Sequence, residues 1–144
     1  MNDFTKSVEI RWSDLDPNFH VRHSVYYDFG AFSRLSFFSE NDITPELMLQ
    51  HNIGPILFRE ECLFKKEMHF GDKVIINIKL DKLKADFSRW TIVHEIFKND
   101  KVPAALITVD GAWLDTKKRK LTLPPESFNT LFGLIPKTGN FIMH

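Results

Sequence analysis

The sequence predicts an α+β fold built on an antiparallel sheet. Three observations carry that reading: a short alternating strand near the start, one long apolar helix directly after it, and then four strand-like runs joined by short connections. Residues 1–132 read as one domain of the 144-residue chain, and 133–144 lose periodicity and are expected to form a loosely held C-terminal tail. No internal repeat or second-domain boundary is visible.

Val8, Ile10 and Trp12 alternate with Glu9 and Arg11, so a half-buried strand is expected to run as far as Trp12. Pro17 biases Asp16 toward an extended conformation, which puts the Asp16 carboxylate on a turn. Ser24 can cap the helix that follows, with Asp28 in the first turns where a negative charge suits the helix dipole. The helix should run to about Ser39. Apolar side chains from Val25 to Phe38 cover most of its circumference, which describes a helix enclosed by other elements. Gly30, Ala31 and Ser33 leave room for close backbone approach.

A second helix is expected from Thr44 as cap and Pro45 as first helical residue, carrying Leu47, Met48 and Leu49 and closing over 52–55. Strand-like runs follow at 56–68, 73–84, 88–98 and 103–114. Val74, Ile76, Ile78 and Leu80 share a face, as do Trp90, Ile92, His94 and Ile96, while Thr91, Val93, Glu95 and Phe97 point the other way. One helix covers one side of a five-stranded sheet, so the leftover apolar surface predicts a partner subunit.

Composition narrows the function. Nineteen basic and nineteen acidic side chains leave no net field, which argues against broad nucleic-acid binding. Met1–Ser7 lacks a cationic segment followed by an apolar stretch, and no apolar run is long enough to span a bilayer, so neither targeting nor membrane insertion is expected. The single cysteine, Cys62, fits a reducing compartment, and a cytoplasmic protein is expected. Its apolar neighbours Leu63 and Phe64 suggest a packed, inert thiol. Fourteen phenylalanines read first as core and subunit contact, and second as a partly aromatic channel for an acyl or aryl chain. No phosphate-cradling glycine loop and no metal-ligand spacing is present, so no metal is expected.

The titratable groups that could carry chemistry gather in Arg11-Trp12-Ser13-Asp14-Leu15-Asp16-Pro17-Asn18-Phe19-His20-Val21-Arg22-His23. Two aspartates, a proline turn, two histidines and a helix start bring carboxylate, imidazole and unpaired backbone N–H groups together, as a site acting on a carbonyl requires. Asp16 also reads as a turn-forming aspartate bonding its own backbone, and His20 and His23 as surface or capping histidines. His69 and His94 read as turn and core residues.

This stretch resembles the opening segment of the hotdog-fold acyl-CoA thioesterases of the 4-hydroxybenzoyl-CoA thioesterase-like superfamily, R-W-x-D-x-D-x-x-x-H-V-x-N. The glycine common before the His-Val pair is Phe19 here, and the usual Asn-Asn after it is Arg22-His23. The resemblance implies a hotdog fold, a five-stranded antiparallel sheet wrapped around the central helix. It implies that Asp16 attacks the thioester carbonyl or activates water, and Asp14 takes a structural part. His20 matches the histidine of the His-Val pair, and His23 the histidine seven residues after the aspartate in a related branch of small acyl-CoA thioesterases. Asp16-Pro17-Asn18-Phe19-His20-Val21 is also similar to the D-x-N-x-H-V signature of acyl-ACP thioesterases, where a glutamate before the turn into the next strand joins the site. That position is Glu67, with Glu60 as rival. Strict alternation puts Glu67 opposite Phe64, so a bulge or a second subunit must deliver it.

The implied activity is hydrolysis of an acyl-CoA or acyl-ACP thioester, with backbone N–H groups near Arg22 to Val25 as oxyanion donors. Asn18, Arg22, Ser24 and Tyr26 are candidates for substrate contact. Lys65, Lys84 and Arg89 are candidates to hold CoA, which enters as part of the substrate rather than as a cofactor. The basic run Lys117-Lys118-Arg119-Lys120 reads mainly as a solvated turn. The resemblance further implies a homodimer with sites at its interface, with dimers often pairing into tetramers. Hydratases and dehydratases on acyl thioesters, and members kept for binding alone, share the fold.

Overall fold

The computed structural model describes residues 4–144; residues 1–3, part of the stretch read for a targeting segment, lie outside the described residues. In chain order the elements are β1 (Thr5–Val8), a 3-10 turn (Trp12–Asp14), α1 (His23–Glu40), α2 (Pro45–Gln50), β2 (Ile53–Phe64), β3 (Val74–Asn77), β4 (Lys79–Leu83), β5 (Arg89–Lys98), β6 (Val102–Asp115), β7 (Lys120–Thr122), α3 (Glu126–Leu134) and β8 (Lys137–Met143). β5 and β6 form the centre of the sheet, running antiparallel from Arg89 opposite Ala112 to Lys98 opposite Val102. β2 flanks β6, and β3 and β4 lie end to end along the far side of β5. β1 borders β3, β8 borders β4, and β7 pairs with the end of β6.

The expected α+β architecture is present, with three corrections. Among the described residues the sheet has eight strands rather than five, and β4 pairs with β8 in parallel. Residues 133–144 are not a loose tail: Ile135 is buried, the Leu80 amide donates to the Pro136 carbonyl at 2.7 Å, and β8 joins the sheet. Lys137 Nζ donates to the carbonyls of Phe132 and Ile135, both at 2.9 Å, and of Gly133 at 3.2 Å, closing the C-terminal end of α3 where a cation suits the dipole. The run expected as one strand over 73–84 is two, because Asn77 leaves the regular ladder. Its side chain substitutes for the backbone, accepting from the Glu95 amide at 2.7 Å and donating to Glu95 Oε1 at 2.9 Å. Its carbonyl turns inward to accept from Ser33 Oγ at 3.0 Å and from His94 Nδ1 at 2.7 Å.

The predicted alternation holds: Val74, Ile76, Ile78 and Leu80, and Trp90, Ile92, His94 and Ile96, are all buried. Against this face α1 buries Val25, Phe29, Gly30, Ser33 and Phe37. Close approach is real at Gly30, where a Cβ would come within 3.4 Å of the His94 ring and 3.5 Å of Ile107. Each fully buried Val, Ile, Leu or Phe contributes roughly 1.5–3 kcal/mol, so this interface dominates stability. Enclosure is one-sided, however: Phe32 and Leu35 remain 44% and 48% exposed, because the sheet of one chain reaches only one side of α1. A second apolar layer, absent from the sequence reading, comes from α3, whose Phe128 and Phe132 pack edge-on against Trp113 at ring distances of 5.5 and 6.2 Å. No helix among the described residues is long and apolar enough to cross a membrane.

The opening segment departs from expectation at Trp12. β1 ends at Val8, Ile10 is buried, and Trp12 starts the 3-10 turn with 74% of its surface exposed. The chain turns because Asp14, 1% exposed, accepts from the Arg11 amide at 2.8 Å and from Arg11 Nη2 at 3.0 Å. Burial pushes this carboxyl up, but the bonds from the Arg11 side chain and amide, with the charges of Arg11 and Arg22, hold it below the ordinary value of 3.8. Ser24 is not the cap of α1: the helix begins at His23, Arg22 occupies the cap position, and Ser24 Oγ accepts from Arg22 Nε at 3.2 Å. Thr44 does cap α2, accepting from the Leu47 amide at 3.2 Å, but 52–55 do not simply close that helix, since β2 starts at Ile53.

Two stability predictions follow from these contacts. Gly111 lies opposite Trp90, and a Cβ there would sit 2.1 Å from the indole ring. Gly111→Ala should cost about 2–3 kcal/mol in denaturant unfolding, with part of the loss recovered by adding Trp90→Phe. Because the folded Asp14 carboxyl titrates below 3.8, its contribution is fully present above that pH and is lost as pH falls through the folded value. Asp14→Asn should therefore lower stability near neutral pH by about 1–3 kcal/mol, and the gap from the native chain should shrink on acidification.

Candidate active site

Two segments far apart in sequence are stitched together at the start of α1. The Val21 amide donates to the Met68 carbonyl at 2.8 Å, and His20 and His69 pair as an antiparallel bridge. Within the first segment the Asp16 amide donates to the His20 carbonyl, and the Phe19 amide to the Asp16 carbonyl, both at 2.9 Å. Closing so tight a turn puts Phe19 in the left-handed region at φ 68°, which disfavours a side chain by about 1–2 kcal/mol. This is the position where the resembling enzymes commonly have glycine, so the departure noted in the sequence carries a conformational cost.

The second segment needs the bulge that strict alternation demanded, and it has one. The amides of Lys65 and Lys66 both donate to the Ala104 carbonyl, at 2.8 and 3.0 Å, so one residue is added without a partner just after β2. Phe64 and Glu67 thereby come to line one cavity of the same chain. Lys98 Nζ donates to the Glu67 carbonyl at 2.5 Å, and Asp72 Oδ2 accepts from the His69 amide at 2.8 Å, which fixes the turn.

The cavity measures about 340 Å³ and is lined by Asp16, His20, Val21, His23, Tyr26, Phe64, Lys65, Lys66 and Glu67. At its mouth His20 stands between two carboxylates: Nδ1 is 3.3 Å from Asp16 Oδ2, and Nε2 is 3.4 Å from Glu67 Oε2. Asp16 does two things at once. Its Oδ1 accepts from the Asn18 amide at 2.8 Å in a turn-forming bond, while Oδ2 faces the imidazole, and only 24% of the side chain is exposed. Burial, then the negative charges of the neighbouring groups, push the Tyr26 phenol up to about 12, so it stays a neutral hydroxyl. Its ring meets Phe64 edge-on at 4.9 Å. The amides of Arg22 and Val25 are engaged with the Asp14 and Arg22 carbonyls. Of the four amides expected as donors, those of His23 and Ser24 lie in the first turn, where no intrahelical acceptor exists.

Not every candidate converges here. Asn18, Arg22 and Ser24 lie outside the lining; Arg22 reaches instead to the Ser13 carbonyl and to Ser24. Lys84 and Arg89 belong to the β4–β5 hairpin, with the Arg89 guanidinium 5.0 Å over the Phe58 ring, so of the three CoA candidates only Lys65 lines the cavity. Lys117 and Lys118 donate their amides to Asp115 Oδ1 in a turn after β6. Glu60 sits 3.9 Å from Arg34 rather than beside His20. Cys62 is half-buried, and burial followed by the charge of Glu60 pushes its thiol up to about 11, so it is protonated near neutral pH. The sequence reading missed Lys66 and the placement of His69, whose ring lies 6.2 Å from that of His20. Among the described residues no group of three or more His, Cys, Asp or Glu side chains is placed to hold a metal ion.

Such a constellation can move protons. A doubly protonated imidazole donates to both carboxylates, and on losing one proton it presents a nitrogen that accepts. Carboxylate, imidazole and unpaired amides in a half-enclosed, partly aromatic cavity are the parts needed to activate water and steady an oxyanion.

Comparison with known proteins finds similar folds. A protein from Staphylococcus aureus solved in complex with CoA superposes with a TM-score of 0.85 at 17% identity, over 95% of this chain and 88% of that one. A 1,4-dihydroxy-2-naphthoyl-CoA thioesterase from Synechocystis gives 0.81 at 16% identity, over 92% of this chain and 97% of that one. A DHNA-CoA thioesterase from Staphylococcus aureus gives 0.82 at 16% identity, over 90% and 87%. At these identities the likeness shows the fold, which is the hotdog fold. A search of curated proteins finds no match. The family model described as the thioesterase-like superfamily matches residues 10–132, from just after β1 into α3, and the chain belongs to that superfamily.

Proposed function

We propose that the protein hydrolyses acyl thioesters carried on CoA or acyl-carrier protein, at the cavity shared by Asp16, His20 and Glu67. The observation that carries this reading is the single imidazole placed between two carboxylates at the start of α1. As general base Asp16 takes a proton from the attacking water and His20 relays it to the departing thiolate, with Glu67 holding its far nitrogen. As nucleophile Asp16 displaces the thiolate to give an acyl anhydride that water then cleaves. The amides of His23 and Ser24 receive the developing oxyanion. Lys65 and Lys66, both exposed at the rim, are suited to the phosphates of CoA, and a similarly folded protein has been solved with CoA. The chemistry draws on the chain's own side chains, with CoA entering only as part of the substrate.

The functional unit in this reading is a dimer, which pairs further into a tetramer if the second contact forms. Supporting it, among the described residues β2 pairs only with β6 and leaves Phe58, Leu63 and Phe64 more than half exposed, while Phe32 and Leu35 of α1 lie uncovered. A second reading has one observation in its favour: a histidine with acidic partners also suits hydration of an unsaturated acyl thioester.

Thiol release from a panel of acyl-CoA esters tests the first reading. Asp16→Asn should lower kcat by about two to four powers of ten, and Glu67→Gln by about tenfold, with the fold unchanged by circular dichroism. Consumption of an enoyl thioester without thiol release would favour hydration, and no turnover of any thioester by the native chain would leave a binding protein. On a sizing column with light scattering the native chain should run at twice its own mass or more, and a Phe58→Glu, Leu63→Glu double variant should run at the mass of one chain.

A further inference from the structure

A second cavity of about 370 Å³ lies between α1 and the start of β2, and it shares no residue with the first. Leu35, Phe38, Met48, Leu57 and Trp90 give it apolar walls, with Arg34 among them. The Arg34 side chain is only 11% exposed. Its one hydrogen bond among the described residues is from Nη1 to His94 Nε2 at 3.1 Å. His94 Nδ1 donates to the Asn77 carbonyl at 2.7 Å, which leaves Nε2 as the acceptor and the ring uncharged. Burial, and then the charge of Arg34, push the His94 pKa down to about 3, in keeping with that tautomer. The nearby carboxylate, Glu60, stands 3.9 Å from Nη2, too far for a hydrogen bond.

A guanidinium carries five N–H donors, and here a neutral ring engages one of them. The Glu60 carboxylate attends this largely buried cation from 3.9 Å without a hydrogen bond, so guanidinium donors remain for a further anion. The lining includes no acidic residue. The wall therefore offers one charged donor, Arg34, set in apolar surface. We propose that this cavity binds a small organic carboxylate, its apolar body among Leu35, Phe38, Met48 and Leu57 and its carboxylate accepting from Arg34. The proposal stands whether or not the first cavity hydrolyses thioesters.

Calorimetric titration of the native chain with octanoate, and with octanamide as its uncharged counterpart, tests it. Octanoate should bind in the micromolar range and octanamide about tenfold or more weakly. Arg34→Gln should reduce octanoate to the octanamide level, and Arg34→Lys should restore part of the loss. Ala31→Leu, which narrows the cavity without touching His94, should also weaken octanoate, and Asp16→Asn should leave it unchanged. Should Arg34→Gln fail to fold, the octanoate–octanamide comparison and Ala31→Leu decide. Equal binding of the two ligands, no binding of either, full binding by Arg34→Gln or Ala31→Leu, or loss of binding in Asp16→Asn would each overturn the proposal; the last would seat the carboxylate beside His20 instead.

Discussion

The hydrogen bond from the Val21 amide to the Met68 carbonyl, with the His20–His69 pairing beside it, is the constraint on which the candidate site depends. Asp16 and Glu67 reach the same imidazole only because the turn before α1 and the turn after β2 are laid edge to edge. Each flank is fixed independently. Asp14 and Arg11 bend the chain before Asp16, and Lys98 with Asp72 ties the turn that carries Glu67 to the β5–β6 end of the sheet. The carboxylates are therefore presented by backbone that is already committed, which is the condition for positioned acid–base chemistry.

Deeper in the molecule, Asn77 plays the corresponding part for the core. One residue ties α1 through Ser33, β5 through Glu95, and the buried His94, and the break between β3 and β4 is the geometric result. Through His94 the group reaches Arg34, which also faces Glu60 at 3.9 Å and lines the second cavity. A satisfied buried network rigidifies a core and fixes one arrangement of it.

Much of this was legible in the sequence. Alternation located β3, β4 and β5 and told which face is buried, because period-two burial is a local property. The Asp16-to-His20 stretch announced the site, and the position of Glu67 announced that a bulge was needed. What stayed hidden depends on pairing between distant segments or on side chains that replace backbone bonds. Asn77 splitting a strand, Asp14 ending β1 before Trp12, and Arg22 rather than Ser24 at the helix cap are all of that kind. α3 could have been found: Pro124-Pro125-Glu126 is a start signal, and Phe128, Leu131 and Phe132 have helical spacing. β8 could not, since Thr138-Gly139-Asn140 has little strand character and its parallel partner lies far back in the chain.

The docking of β8 along β4 has a consequence for how copies of this sheet can meet. On that flank lie two short strands, β1 and β8, which run in different directions and carry lysine, glycine and asparagine; they make a ragged hem that another strand cannot easily follow. The opposite flank is the twelve-residue β2, long and, among the described residues, unaccompanied on its outer side. A ribbon with one inviting border and one refusing border can be zipped to its own twin and then has nothing left to zip, so growth stops there instead of running on into a fibre.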